Sequence, residues 1–140
     1  SPDEGRRQPR NRLPEPMKLH LETEDAGLLI SHYEAGKVVV NEEHLTRACI
    51  VSPRQLLREW GPEGFDALAR GHMEHLVALD PELVVLGTGT RQRFPSPDLL
   101  RPLLEAGIGV EVMDTGAACR TYNILVGEGR RVAAALLMIE

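Results

Sequence analysis

Two short segments hold the residues of this chain whose types and spacing could do chemistry. The first is Gly87-Thr88-Gly89-Thr90-Arg91-Gln92-Arg93-Phe94-Pro95. Its glycines permit a tight turn and close backbone approach. Arg91 and Arg93 carry guanidinium groups that can fork onto a carboxylate or phosphate. The second is Asp114-Thr115-Gly116-Ala117-Ala118-Cys119-Arg120-Thr121-Tyr122-Asn123. A helix opening at Asp114 or Thr115 would offer backbone N–H groups to an anion, although a capping Asp114 carboxylate would occupy some of them. Cys119 would lie about one turn inside that helix, where the dipole lowers a thiol's pKa. Arg120, Thr121 and Asn123 are polar residues on a helix of otherwise small side chains. The candidate ligand-binding set is therefore Gly87, Thr88, Gly89, Arg91, Arg93, Asp114, Thr115, Cys119, Arg120, Thr121 and Asn123, with no catalytic residue assigned.

Plainer readings stand beside these. The first segment also reads as a structural turn whose arginines pair with the chain's many carboxylates, and Cys119 as a buried, inert thiol. The dinucleotide pattern GxGxxG would need glycine at position 92, which is Gln, and the P-loop pattern is missing. No histidine lies near Cys119 in sequence, and there is no GxSxG. His72 and His75 are three apart, so they do not make HExxH; His72 falls on an apolar stripe and reads as a core histidine. His20, His32 and His44 are scattered. No metal and no cofactor are expected.

Composition narrows the partners. The formal net charge is −5, and the first sixteen residues hold four arginines against three carboxylates, so the rest of the chain stands at −6. Phosphate backbones are bound by clustered Lys and Arg, so no nucleic-acid partner is expected. Two cysteines, Cys49 and Cys119, are too few for a disulfide scaffold and fit a reducing, cytoplasmic setting. No apolar run approaches the roughly 18 residues of a membrane span, so no membrane insertion is expected. Trp60, ahead of Gly61-Pro62, reads as core or rim packing, or as the anchor of a homodimer.

The elements that must position the two segments follow from period and punctuation. Ser1–Pro16 is polar and proline-rich and reads as a disordered tail, with 17–140 as a single domain; Met17 could open the native chain. Leu19 and Leu21 alternate with polar residues. Gly27–Tyr33 and Lys37–Val40 are strands around a Glu34-Ala35-Gly36 turn, Ala48–Val51 is a short strand, and Gln55–Trp60 is read as another. Phe65, Leu68, Ala69, His72, Leu76 and Leu79 repeat at helical spacing, which predicts one helix over Glu63–Leu79. Then come strand Leu83–Leu86, helix Pro97–Ala106, strand Ile108–Met113, helix Thr115–Val126 and strand Arg131–Ile139. Gly127–Arg131 reads as a solvated turn. Strand–helix alternation demands a largely parallel sheet with right-handed crossovers. Ligands of such sheets collect beyond the carboxyl ends of the strands, where both segments would lie.

The run Val84–Gly89, then Gly107–Thr115, then Ala117–Leu125, closing on Glu128–Val132, with Trp60 ending the first half, resembles the Mth-like domain family, long described as a domain of unknown function. The resemblance covers about Leu19 to Leu137. The family includes the mitochondrial complex I assembly factor 3 and the adipogenesis-associated Mth-like protein. It implies a three-layer α/β fold with a mixed, mostly parallel central sheet, one strand antiparallel to the rest, flanking helices and an N-terminal β-hairpin layer. It carries over no catalytic activity. The function expected is a non-enzymatic interaction or assembly protein with protein partners, assisting respiratory complex I assembly. The alternative is an anion-binding protein or enzyme using the crevice between Gly87–Pro97 and Asp114–Asn123.

Overall fold

A computed structural model of the chain describes residues 27–138; the expected tail over 1–16, the alternation at Leu19 and Leu21, and the last two residues lie outside them. Five strands form the central sheet: β4 (Cys49–Val51), β5 (Leu56–Leu57), β6 (Leu83–Thr88), β7 (Gly109–Met113) and β8 (Val132–Leu137), in the order β5-β4-β8-β6-β7. β6 pairs parallel with both β7 and β8, whereas β4 runs antiparallel to β8 and to β5. β4 is therefore the one strand that runs against the rest. A separate antiparallel sheet is made by β1 (Ile30–Glu34), β2 (Lys37–Val40) and β3 (Glu43–Leu45).

Three helices cover the central sheet: α1 (Arg70–Leu79), α2 (Pro97–Glu105) and α3 (Thr115–Gly127). Two hydrophobic clusters define the layers. On one face Met73, Leu76 and Leu103 from α1 and α2 pack on Ile50, Val84, Leu86, Ala133 and Ala135. On the other face Ala118, Tyr122 and Val126 of α3, with Ile30, Val38 and Val40 of the small sheet, pack on Cys49, Val85, Ala134 and Leu136. β8 is buried along its whole length, and its run of alanines lets helices approach from both sides. Trp60 is buried in the first cluster at 2% exposure, and its Nε1–H donates to the His72 carbonyl at 2.9 Å. That places Trp60 in the core.

Two expectations need correction, and one strand is additional to them. The single helix over Glu63–Leu79 is two pieces, a 3₁₀ turn at Phe65–Ala67 and then α1 from Arg70. Leu68 between them is extended, and the α1 start is fixed by a reciprocal pair: Ala69 N–H donates to His72 Nδ1 at 3.0 Å while His72 N–H donates to the Ala69 carbonyl. The strand expected over Gln55–Trp60 contracts to Leu56–Leu57. Its partner β4 offers only Val51 and Ile50 for pairing, after which the chain turns to bury the indole. β3 is the additional strand. It follows β2 through Asn41 and Glu42, both at positive φ (51° and 73°), between the paired Val40 and Glu43. This is the backbone of a two-residue primed hairpin turn, in which Glu at the second place hides the usual Asn-Gly signal.

Candidate functional site

The carboxyl ends of β6 and β7 bring the β6–α2 loop and the start of α3 together, as parallel strands must. Gly87 marks the closest approach. A Cβ there would stand 2.9 Å from both Cα and Oγ1 of Thr115 and 3.1 Å from Cβ of Ala118, so a bare backbone lets α3 seat on β6. Gly89 turns the loop at φ +101°. Its carbonyl accepts from Thr115 N–H and its N–H donates to Thr115 Oγ1, each at 2.8 Å. The Thr115 hydroxyl donates in turn to the Leu137 carbonyl at 2.6 Å. One fully buried side chain thus joins the β6 loop, the α3 start and the end of β8.

Thr88 performs the same service inside the loop. It is fully buried, and its Oγ1 lies 2.7 Å from the Arg91 carbonyl and 3.2 Å from the Met113 carbonyl while accepting from Arg93 N–H at 3.1 Å. Gln92 Nε2 donates to the Val112 carbonyl at 3.0 Å. Arg93 turns toward the α1 side, with a 3.0 Å ion pair to Asp66 and its guanidinium 4.2 Å from the Phe65 ring centre. Arg91 and Arg120 are exposed, and so is Phe94, at 72%.

At the α3 start the donors are largely taken. Asp114 Oδ1 accepts from Ala117 N–H at 2.9 Å, and the Asp114 carbonyl accepts from Ala118 N–H. With Thr115 N–H bound to Gly89, three of the first N–H groups already have protein partners. Cys119 is buried, and burial pushes its thiol up to about 12, opposed by Arg120 and aided by Asp114. Cys49 is also pushed up to about 12, by burial first and then by Cys119 and Glu43. A thiol at 12 is a thiolate in only about one molecule in 10⁵ at pH 7. Burial also raises the Tyr122 hydroxyl, which donates to the Leu28 carbonyl at 2.8 Å. Asn123 serves the same junction: Oδ1 accepts from Ile30 N–H at 2.9 Å and Nδ2 donates to the Ile30 carbonyl at 2.7 Å. Thr121 is half-buried on the same helix.

The structure therefore brings Gly87, Thr88, Gly89, Asp114 and Thr115 into one hydrogen-bonded crest. It directs Arg93 to the α1 face and commits Asn123 to the small sheet. No group of three or more His, Cys, Asp or Glu side chains suited to a metal ion occurs among the described residues.

A larger opening lies at the opposite end of the sheet, among segments that read in the sequence as stops and turns. It is a cleft of about 740 Å³ between the turns at Ser52–Gln55, Asp80-Pro81 and Gly127–Arg131. Each turn is visible in the sequence as a stop signal; that all three meet at one end follows from the strand directions.

Comparison with known proteins agrees with this architecture. A family model described as "Protein of unknown function (DUF498/DUF598)" matches residues 30–137. The "13 kDa major membrane protein" of Francisella tularensis is 28% identical over 122 residues, 86% of this chain and 99% of that protein. The Bos taurus "NADH dehydrogenase [ubiquinone] 1 alpha subcomplex assembly factor 3" is 34% identical over 112 residues, 79% of this chain. The chain spans about 60% of that relative's length. A solution structure from Bordetella pertussis, described as a Mth938-like domain, superposes with a TM-score of 0.73 at 29% identity, covering 93% of this chain and 92% of that one. Among the described residues no helix is long and apolar enough to cross a membrane. With a family model spanning nearly all of the described residues and close superposition on a Mth938-like domain, the chain belongs to the DUF498/DUF598 family, the Mth-like domains.

Proposed function

We propose that this chain works through protein contacts, as a non-enzymatic factor in the assembly of a respiratory complex of the NADH dehydrogenase type, in a cytoplasmic setting. The observation that carries the reading is the 34% identity, over 79% of this chain, to a protein named as an assembly factor of NADH dehydrogenase. The site geometry supports it. The crest is tied together by hydrogen bonds, its two threonine hydroxyls are used internally, and its nearest thiol is held neutral by burial. What the crest presents outward is Arg91, Arg120 and the exposed ring of Phe94, a combination suited to a protein surface. The anion-binding or enzymatic reading of the same crest would rest on Arg91 and Arg120, and it has less support because the N–H groups of Thr115, Ala117 and Ala118 are occupied.

The test is affinity capture of the full tagged chain from its native cells, beside a strain lacking the gene. Enrichment of NADH dehydrogenase subunits or their assembly intermediates, reduced by Phe94→Glu, is the expected result. Recovery of no respiratory subunit, with respiration unchanged in the deletion strain, would overturn it.

A further inference from the structure

The cleft of about 740 Å³ sits at the far end of the sheet from the crest and is independent of the assembly reading. Its volume falls within the range of small-molecule sites, roughly 300–1,000 Å³. The open apolar floor comes from Pro53 after β4 and from Ala78 and Leu79 at the end of α1, with Pro81, Val126 and Val132 nearly buried behind it. Val126 is 5% and Val132 1% exposed, so these side chains are fixed by the core behind them.

The rim is cationic on a chain whose net charge is −5. Arg54, Arg130 and Arg131 line the cleft against one carboxylate, Asp80. Arg130 is engaged, with Nε 2.8 Å from Glu82. Arg54 has no ion pair among the described residues; the Arg131 guanidinium makes a 3.5 Å contact to the Asp80 carbonyl and, without a direct ion pair, helps Arg130 hold the Glu82 carboxyl below its usual range. Two guanidinium groups are thus left facing solvent beside an apolar floor.

The helix ends decide how a ligand would lie. α1 and α3 both finish here, and helix C-termini carry partial negative charge. Several of their last carbonyls are already bonded: Val77 to Asp80 N–H, and Ile124, Leu125 and Val126 to the N–H groups of Glu128, Gly129 and Arg130. The residual field still disfavours an anion on the floor. An anionic group is favoured only at the rim, where Arg54 and Arg131 stand.

We infer that this cleft binds an amphiphilic organic anion, its apolar body on Pro53, Ala78 and Leu79 and its carboxylate or phosphate held by Arg54 and Arg131. A carboxylate and a phosphate monoester share this chemistry, and the test separates them. The ¹⁵N-labelled full chain is titrated with decanoate, decyl phosphate and, as the uncharged counterpart, decanol, all below micelle formation. Saturable shifts confined to Ser52–Gln55, Ala78–Glu82 and Gly127–Val132 are expected with at least one of the two anions, and the tighter of the two names the headgroup. Decanol binds more weakly. The Arg54→Gln/Arg131→Gln double variant, altered only at exposed side chains, weakens the anion by about tenfold or more. The proposal is overturned if neither anion gives saturable shifts there, if decanol binds as tightly as the better anion, or if the double variant binds that anion unchanged.

Discussion

Thr115 and Gly89 exchange two hydrogen bonds of 2.8 Å, backbone to backbone and backbone to hydroxyl, and the same hydroxyl reaches the Leu137 carbonyl. Replacing Thr115 by Val keeps the shape and leaves the Gly89 N–H and the Leu137 carbonyl unpaired in a buried place. Thr115→Val is expected to lose about 3 kcal/mol in urea unfolding. Thr115→Ser, which keeps the hydroxyl, loses about 1 kcal/mol for the missing methyl.

Gly87→Ala tests the seat of α3 on β6. The new methyl would meet the Thr115 backbone at 2.9 Å, and a backbone atom at a helix start cannot rotate away. A loss of roughly 2–3 kcal/mol is expected, as for other overpacked cores. Hydrogen exchange should speed up at the first turn of α3 ahead of the β2 and β3 amides.

How much of this was legible in the residues themselves differs by element. β6, α2, β7, α3 and β8 announce themselves because local cues and tertiary demand agree: a Leu/Val run, Pro97 at a helix start, Asp114 as a cap whose carboxylate does bond Ala117 N–H. The Glu63–Leu79 stretch misleads because its helical period is real, yet Phe65 serves a partner far along the chain, the Arg93 guanidinium 4.2 Å from its ring. The placement of the crest could be read from strand direction. The uses of Thr88 and Thr115 could not, since a buried hydroxyl shared among three strand and helix ends leaves no periodic trace. The far cleft escaped because its rim is assembled from three turns that are distant in sequence.

The carboxamide of Asn123 offers one acceptor and one donor to the two backbone groups of Ile30. Asn123→Asp keeps the acceptor and removes the donor, so the ionised form faces the Ile30 carbonyl. The folded pKa of the new carboxyl then lies above its unfolded value. Relative to the parent chain, the deficit is smallest below the unfolded pKa of about 4 and grows as pH rises through the folded value, reaching about 1–2 kcal/mol at neutral pH. Paired urea titrations of the two proteins at acid and neutral pH check this.

Cys49 and Cys119 both stand at about 12 against an ordinary thiol value of 9.0. A folded pKa above the unfolded one gives stability that is complete below the unfolded value and is lost as pH rises toward the folded value. Stability should therefore fall between about pH 9 and pH 12. Cys119→Ala should flatten that slope while lowering stability at neutral pH, and native protein at pH 8 should react with a thiol reagent far more slowly than unfolded protein.

The bond between Asn123 and Ile30 joins residues 93 apart in the chain. Synthesis proceeds at about 5–20 residues per second, so Ile30 is made roughly 5–20 s before Asn123. Throughout that interval β1, β2 and β3 have no α3 to cover Val38 and Val40, which end fully buried. The small sheet is the first part of the described domain to be made and among the last to be latched, and its apolar face is the surface a nascent chain must keep from its neighbours until the latch arrives.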